Sequence, residues 1–195
     1  MIIKDKNKLK TPCEVVSIKE GEDIAANLLQ ELRQSESGIG LAANQIGINK
    51  RVCVVNVKEP IVLVNPNVID ISEEKFQFAE GCLSFPKDKV KTTRYVWIKV
   101  HADNHNDTLY FTADSKDIND AFECACVQHE IDHLDGITMF DREMEKPKPI
   151  VRGKNAPIKI GRNEKVTITK NKELKVMKYK KAEPMLKDGW TLSEQ

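Results

Sequence analysis

The sequence predicts an α+β fold in which small antiparallel sheets pack around a central helix carrying the pattern His-Glu-x-x-His. Three observations predict it. Two stretches, at 21–35 and 117–135, place apolar residues at helical spacing. Short β-branched runs separated by turn residues are typical of antiparallel strands. The end of the chain alternates like a hairpin, which predicts a short β-rich C-terminal tail.

Local patterns give the order of the elements. Ile24 and Leu28 share one face of the first helix, and the second helix stops near Gly136, a residue type favoured at helix ends. Predicted strands lie at 51–57, 61–64, 95–102, 108–113, 165–170 and 173–179. Residues 103–107 have turn chemistry throughout, so the strands beside them form a hairpin. A short helix is predicted at 184–187.

Charge divides the chain into two parts. Residues 1–145 hold 17 basic and 25 acidic side chains, whereas residues 146–195 hold 14 basic and 5 acidic ones. The sequence Lys-Pro-Lys-Pro at 146–149 is typical of a linker. We therefore expect one main domain at 1–145 and a basic linker with a small C-terminal extension at 146–195.

Composition favours a cytoplasmic protein. No apolar run approaches the length needed to cross a bilayer, so we expect no membrane partner. The first residues are too polar for a secretory signal. The five cysteines have no regular spacing, which indicates thiols or ligands in a reducing compartment rather than disulfides.

The strongest chemical signal is the motif at 129–133. On a helix, His129 and His133 lie one turn apart on the same face and can reach one metal ion, with Glu130 beside a metal-bound water. A catalytic site normally needs a third protein ligand. Spacing leaves the choice open among the cysteines, His101, His105, Glu123 and Glu143.

Three segments together resemble the peptide deformylase family. They are Gly-Ile-Gly-Leu-Ala-Ala-Asn-Gln at 38–45, Glu-Gly-Cys-Leu-Ser at 80–84 and Gln-His-Glu-Ile-Asp-His-Leu-Asp-Gly at 128–136. Every fixed position of the family's three motifs is present, in the family's order. The resemblance covers residues 1–141 and implies that the main domain, at 1–145, is a peptide deformylase catalytic domain.

The resemblance implies a metal centre. Cys82, His129 and His133 are then the metal ligands, with water in the fourth position. The cofactor is one divalent metal ion, with Fe²⁺ favoured and Zn²⁺ as the alternative, because a thiolate ligand suits both.

The resemblance also implies the reaction. The metal-bound water, activated by Glu130, attacks the formyl group of N-formylmethionine on a nascent polypeptide and releases formate. The Gln45 amide and the Leu83 backbone N–H stabilise the oxyanion.

Similarity to the family places a substrate pocket and a supporting ion pair. Glu80 and Arg94 match a pair that holds the cysteine-bearing segment. The pocket for the methionine side chain is implied to contain Ile39, Gly40, Phe122, Ala125 and Cys126. Core packing explains the last three equally well.

Two other functions and one further partner stay open at this point. A zinc protease would use the same histidines with Glu143 as the downstream ligand, and a non-catalytic binder of this fold would need neither Glu130 nor Gln45. The basic tail suits ribosomal RNA, although a solvated appendage is at least as good an interpretation. We expect a monomer.

Overall fold

The computed structural model describes residues 1–35, 37–144, 161–171 and 173–192. Two compact units divide the chain, one at Met1–Lys146 and one at Pro147–Gln195. The predicted linker at 146–149 lies outside the described residues. In the described part of the chain, no helix is long and apolar enough to cross a membrane.

The first helix, α1, runs over Ile18–Arg33. It begins three residues before the predicted start because the Ser17 side chain caps it, accepting a hydrogen bond from the Glu20 backbone N–H. Its apolar face, which includes Leu28, is buried against the first sheet. The helical periodicity seen in the sequence is thus confirmed.

The first sheet has the order β1-β2-β3 and is antiparallel. Its strands are β1 (Gly40–Ala42), β2 (Val52–Asn56) and β3 (Pro60–Val64). Alternate residues of β2, which is buried from Val52 to Val55, point to opposite faces. Val54 packs with the α1 cluster, whereas Cys53 and Val55 pack with residues of the second helix.

Two further antiparallel sheets complete the first unit. One has the order β4-β7-β8, with β4 (Asn67–Ile71), β7 (Trp97–His101) and β8 (Leu109–Thr112). The other is the long hairpin of β5 (Lys75–Cys82) and β6 (Phe85–Tyr95). The predicted hairpin of β7 and β8 is confirmed, and β1, β4, β5 and β6 were not predicted.

The second helix, α2, runs over Ile118–Leu134 and is buried from Glu123 onward. Asp117 caps it by accepting a hydrogen bond from the Asn119 N–H. After it ends, Gly136 has a φ of 74°, and a Cβ there would lie 2.4 Å from a backbone carbonyl oxygen. Only glycine fits such a position. Helices and small antiparallel sheets therefore make up this unit, as the sequence predicts.

The second unit is a small α+β module. Its sheet has the order β10-β9-β11 and is antiparallel, with the helix α3 between the last two strands in sequence. The elements are β9 (Lys165–Lys170), β10 (Glu173–Lys178), α3 (Tyr179–Lys187) and β11 (Thr191–Leu192). The predicted hairpin is confirmed; the helix begins five residues before the predicted position, and β11 was not predicted.

Candidate metal centre

Cys82, His129 and His133 lie together at the junction of β5 and α2. One ligand atom from each lies within 4.8 Å of the other two. Cys82 Sγ is 3.3 Å from His133 Nε2, and the two imidazole rings are nearly perpendicular, with centroids 4.8 Å apart. Among the described residues, this is the one cluster of three such side chains with metal-ligand spacing.

The donor set fits a divalent transition metal. One sulfur and two imidazole nitrogens suit iron or zinc and leave a coordination position for a substrate or water. His129 Nδ1 lies 2.8 Å from Glu80 Oε2, which leaves its Nε2 for the metal. Burial is the main cause that holds the pKa of His133 well below its usual range, which favours the neutral ring that a metal ligand needs.

Glu80 and Arg94 form a buried pair behind the first histidine. Arg94 donates two hydrogen bonds to the Glu80 carboxylate, at 2.5 and 2.8 Å, and the Thr92 hydroxyl donates a third at 2.6 Å. Burial opposes the charged carboxylate, but the bonds from Arg94 and His129 outweigh it and lower the pKa of Glu80 to about 2. The carboxylate therefore stays ionised and orients the His129 ring.

Asp132 extends this network to the end of the first unit. Arg94 Nη1 lies 2.5 Å from one Asp132 oxygen. Arg142, just after a short 3₁₀ helix, donates to both Asp132 oxygens, at 3.1 and 2.8 Å. Sequence reasoning assigned no role to Asp132 or Arg142, although Asp132 lies inside the 128–136 motif. The position of Asp132 between the two predicted ligand histidines could have indicated a role for it.

Glu130 points from α2 towards the first sheet. It is buried, and its Oε2 has no hydrogen-bond partner. A Cβ at Gly40 would lie 2.4 Å from Glu130 Oε1, so the β1 backbone touches this carboxylate. Burial raises the pKa of Glu130 to about 7, against the opposing charge of His129. A carboxyl with that pKa and a free oxygen can exchange protons near neutrality.

Gln45 reaches Cys82 from a short 3₁₀ helix at Ala43–Ile46. Its Oε1 accepts the Ala42 N–H at 2.8 Å, which leaves its Nε2 to donate to Ser84 Oγ at 3.1 Å and Cys82 Sγ at 3.4 Å. The amide N–H₂ group is therefore held beside the metal site. Ser84, which positions it, was not predicted.

A cleft of about 500 Å³ opens over this centre. It is lined by Gln45, Cys82, Leu83, His129 and Glu130, and by all five predicted substrate residues: Ile39, Gly40, Phe122, Ala125 and Cys126. His133 is almost fully buried and is not part of the cleft wall. The sequence motifs and the predicted pocket thus converge on one cavity.

The sequence profile of the polypeptide deformylase family matches residues 1–149. The chain belongs to this family. A peptide deformylase from Natranaerobius thermophilus is 42% identical over 127 residues, which are 64% of this chain and 77% of that protein. The peptide deformylase of Aquifex aeolicus is 38% identical over 144 residues, covering 69% of this chain and 80% of its own.

Solved deformylase structures share the fold. The crystal structure of a probable peptide deformylase from Synechococcus phage S-SSM7 has a TM-score of 0.62 and 34% identity, covering 73% of this chain and 98% of that one. The peptide deformylase of Thermotoga maritima has a TM-score of 0.64 and 28% identity, covering 74% and 97%.

The other ligand candidates raised by the sequence lie outside the deformylase metal cluster. His101 is exposed beside Asp103, and His105 bonds the Val62 carbonyl at 2.8 Å. Glu123 is paired with Lys58. The backbone of Glu143 bridges to strand β6. The side chains of His101, His105 and Glu123 therefore have contacts other than the predicted ligand histidines.

Phe78 and Val57 are among the cleft side chains to which the sequence analysis gave no role. Phe78 of β5 packs edge-to-face on Phe122, with ring centroids 5.0 Å apart, and Val57 lies in the β2–β3 loop. Neither was singled out, because Val57 reads as the end of an apolar strand and Phe78 lies in a segment where no strand was predicted; only the tertiary fold brings both to α2.

Proposed function

We propose that this chain removes the formyl group from N-formylmethionine at the start of nascent polypeptides and releases formate. The observation that carries this proposal is the meeting of Glu130 and Gln45 beside the Cys82, His129 and His133 cluster in one cleft. A binding module would need neither group. Since nascent chains are made in the cytoplasm and all five cysteines are free thiols, we place the reaction there.

The proposed cofactor is one divalent metal ion, Fe²⁺ being favoured over Zn²⁺, held by Cys82, His129 and His133. When bound, such an ion polarises the formyl carbonyl and lowers the pKa of water beside it. Glu80 supports this centre by fixing the ring of His129.

In the proposed mechanism, Glu130 moves the proton. Its unpartnered Oε2 accepts a proton from the attacking water and then delivers it to the leaving amine nitrogen. The new C–O bond forms first and gives a tetrahedral oxyanion; the C–N bond of the formamide then breaks as the amine nitrogen takes the proton, which gives formate and a free N-terminus. The Gln45 Nε2 donates to the negative oxygen that develops on the formyl carbon, and the Leu83 backbone N–H supplies a second donor.

Close packing at Gly40 supports selectivity for a formyl group. No Cβ fits between this residue and Glu130, so the β1 backbone lies directly against the carboxylate and narrows the space beside it, which favours a small acyl group. The methionine side chain would extend towards Phe122, Ala125 and Cys126, where the aromatic ring suits a thioether.

The decisive experiment compares Glu130→Gln with Glu143→Gln. With formyl-Met-Ala-Ser as substrate, Glu130→Gln should lose about 10²–10⁴ in kcat, because it cannot transfer the proton. Glu143→Gln should keep wild-type activity, and elemental analysis of anaerobically purified protein should find one metal ion per chain. Cleavage of internal bonds in unformylated peptides, abolished by Glu143→Gln, would instead establish a zinc protease.

We further propose that the basic second unit contacts ribosomal RNA. The Lys175 ammonium lies 4.5 Å from the centre of the Trp190 ring, and residues 146–195 carry 14 basic and 5 acidic side chains. Phosphate contacts predict ribosome binding that weakens steeply with salt. Binding that is insensitive to salt, or that survives deletion of residues 147–195, would contradict this role.

A further inference from the structure

A three-residue loop joins β2 to β3 at the edge of the cleft. Asn56 pairs with Pro60 at its base, so only residues 57–59 turn the chain. Val57 is half-buried, packs against the main core and lines the cleft. Lys58, the next residue, is exposed. So short a loop has little contact area of its own to hold it in place.

The ammonium of Lys58 crosses from this loop to α2. Its Nζ lies 2.7 Å from Asp120 Oδ1 and 2.9 Å from Glu123 Oε2. The two acidic residues are three positions apart and adjacent on the helix surface. The Glu123 side chain is only 9% exposed, so its charge depends on this partner more than a surface carboxylate would.

Lys58, Asp120 and Glu123 together form what we call the Lys58 clamp. Hydrogen bonds from the Lys58 ammonium to the two carboxylates raise the pKa of the lysine well above its usual value. The ammonium therefore stays charged around neutral pH. Without it, two carboxylates one helical turn apart would repel each other, and one of them would be buried without a counter-charge.

Both ends of the Lys58 clamp adjoin residues of the cleft wall. Val57 precedes Lys58 in the loop, and Phe122 precedes Glu123 in α2. Phe122 is also packed edge-to-face on Phe78 from strand β5. The first turns of α2 are thus held on two sides, by an aromatic contact and by the ion cluster.

We propose that Lys58 is a positioning residue that ties the β2–β3 loop to α2 and so sets the width of the cleft between Val57 and Phe122. It thereby selects the side chain of the substrate's first residue. This inference rests on the proposed function, since selection is meaningful only for a formyl-peptide that enters this cleft. Lys58 itself touches no reacting atom.

Kinetics of Lys58→Met test the proposal on uncharged substrates. For formyl-Met-Ala amide, KM should rise about fivefold, as expected for a lost ion cluster at a partly exposed site, with kcat within about twofold of wild type. Discrimination against formyl-Phe-Ala amide should fall because the cleft widens. Lys58→Arg should restore both values, and Glu123→Gln should reproduce the loss.

Lys99→Met is the matched control. Lys99 forms an exposed pair with Asp70 at 2.9 Å, on the sheet of β4 and β7. Its substitution removes the same charge and leaves the Lys58 clamp intact, so KM and selectivity should not change. Equal effects of the two substitutions would mean that net charge, not the clamp, controls substrate binding, and the proposal would be wrong.

Hydrogen–deuterium exchange gives a readout that does not depend on activity. Amides at 57–59 and 118–124 should exchange several-fold faster in Lys58→Met than in wild type or Lys99→Met, with no change at 129–133. If the wild-type chain had no deformylase activity, the proposed function would fail while exchange still tested the clamp. Unchanged exchange, or unchanged KM and selectivity in an active enzyme, would overturn the clamp itself.

Discussion

Replacing Arg94 with methionine should destabilise the first unit strongly. Arg94 and Glu80 are 3% and 4% exposed, and Arg94 also pairs with Asp132, which is 6% exposed. Removing one member of a buried ion pair typically costs about 3–5 kcal/mol, because the remaining charge is left in a poorly solvated site. Arg142 still neutralises Asp132, so the loss falls mainly on Glu80.

The pKa of Glu80 supports a similar magnitude. Its lowering from 4.5 to about 2 corresponds to about 3 kcal/mol of stabilisation. Because the folded pKa is below the unfolded one, this stabilisation is present above about pH 4.5 and disappears as the pH falls towards 2. The difference between wild type and Arg94→Met should therefore be largest at neutral pH and shrink below about pH 4.

Urea unfolding in the presence of a chelator measures this difference without a contribution from metal binding. Trp97 fluorescence in a Trp190→Phe background reports on the first unit alone. The double variant with Glu80→Gln should recover part of the loss, since the uncompensated charge is gone. The surface control Lys99→Met should cost less than about 1 kcal/mol. An Arg94→Met protein within 1 kcal/mol of wild type at pH 7 would refute the reasoning.

Three other predictions concern the site and one thiol. Gln45→Leu should lower kcat by about 10²–10³, measured by formate release; wild-type turnover would remove this amide from the mechanism. Gly40→Ala forces a Cβ within 2.4 Å of Glu130 Oε1, so we expect a loss of about 1–3 kcal/mol in thermal unfolding and a fall in kcat. An unchanged melting temperature and kcat would show that the contact can relax. Burial raises the pKa of Cys13 to about 11, so its alkylation, followed by mass spectrometry, should be slow at pH 8 and accelerate towards pH 11; rapid labelling at pH 8 would contradict this.

The candidate metal centre was accessible to sequence reasoning because its residues sit in contiguous motifs. His129 and His133 are related by helical spacing alone, whereas Cys82 was one of several candidates for the third ligand until the resemblance to a family selected it. The structure brings their ligand atoms within 4.8 Å of one another. Helical spacing therefore predicts the pair of histidines, but the choice of Cys82 as the third ligand required the resemblance to the family.

Strands β5 and β6 escaped prediction for a physical reason. They form a two-stranded hairpin with one face largely exposed, and β6 is rich in lysine, so no buried apolar run marks them and the alternation at 75–78 and 89–92 is short. The hydrogen bonds between β5 and β6 stabilise these strands where burial of apolar side chains does not. Cys82, the last residue of β5, nevertheless lies at the candidate site.

Contacts over long sequence separations were also beyond the sequence. Lys58 meets Asp120 across 62 positions, and Arg94 meets Asp132 across 38. Charged residues are abundant in this chain, so composition cannot say which of them pair. Only the packing of the strands on α2 decides it.

Arg142 sets a practical limit for protein engineering. Its guanidinium shares Asp132 with Arg94, and Arg94 in turn holds Glu80. A chain shortened before position 142 would leave Arg94 to serve two carboxylates, drawing it away from the one that orients His129. A fusion partner or affinity tag is therefore better joined after residue 144, so that Asp132 on α2 keeps both Arg94 and Arg142.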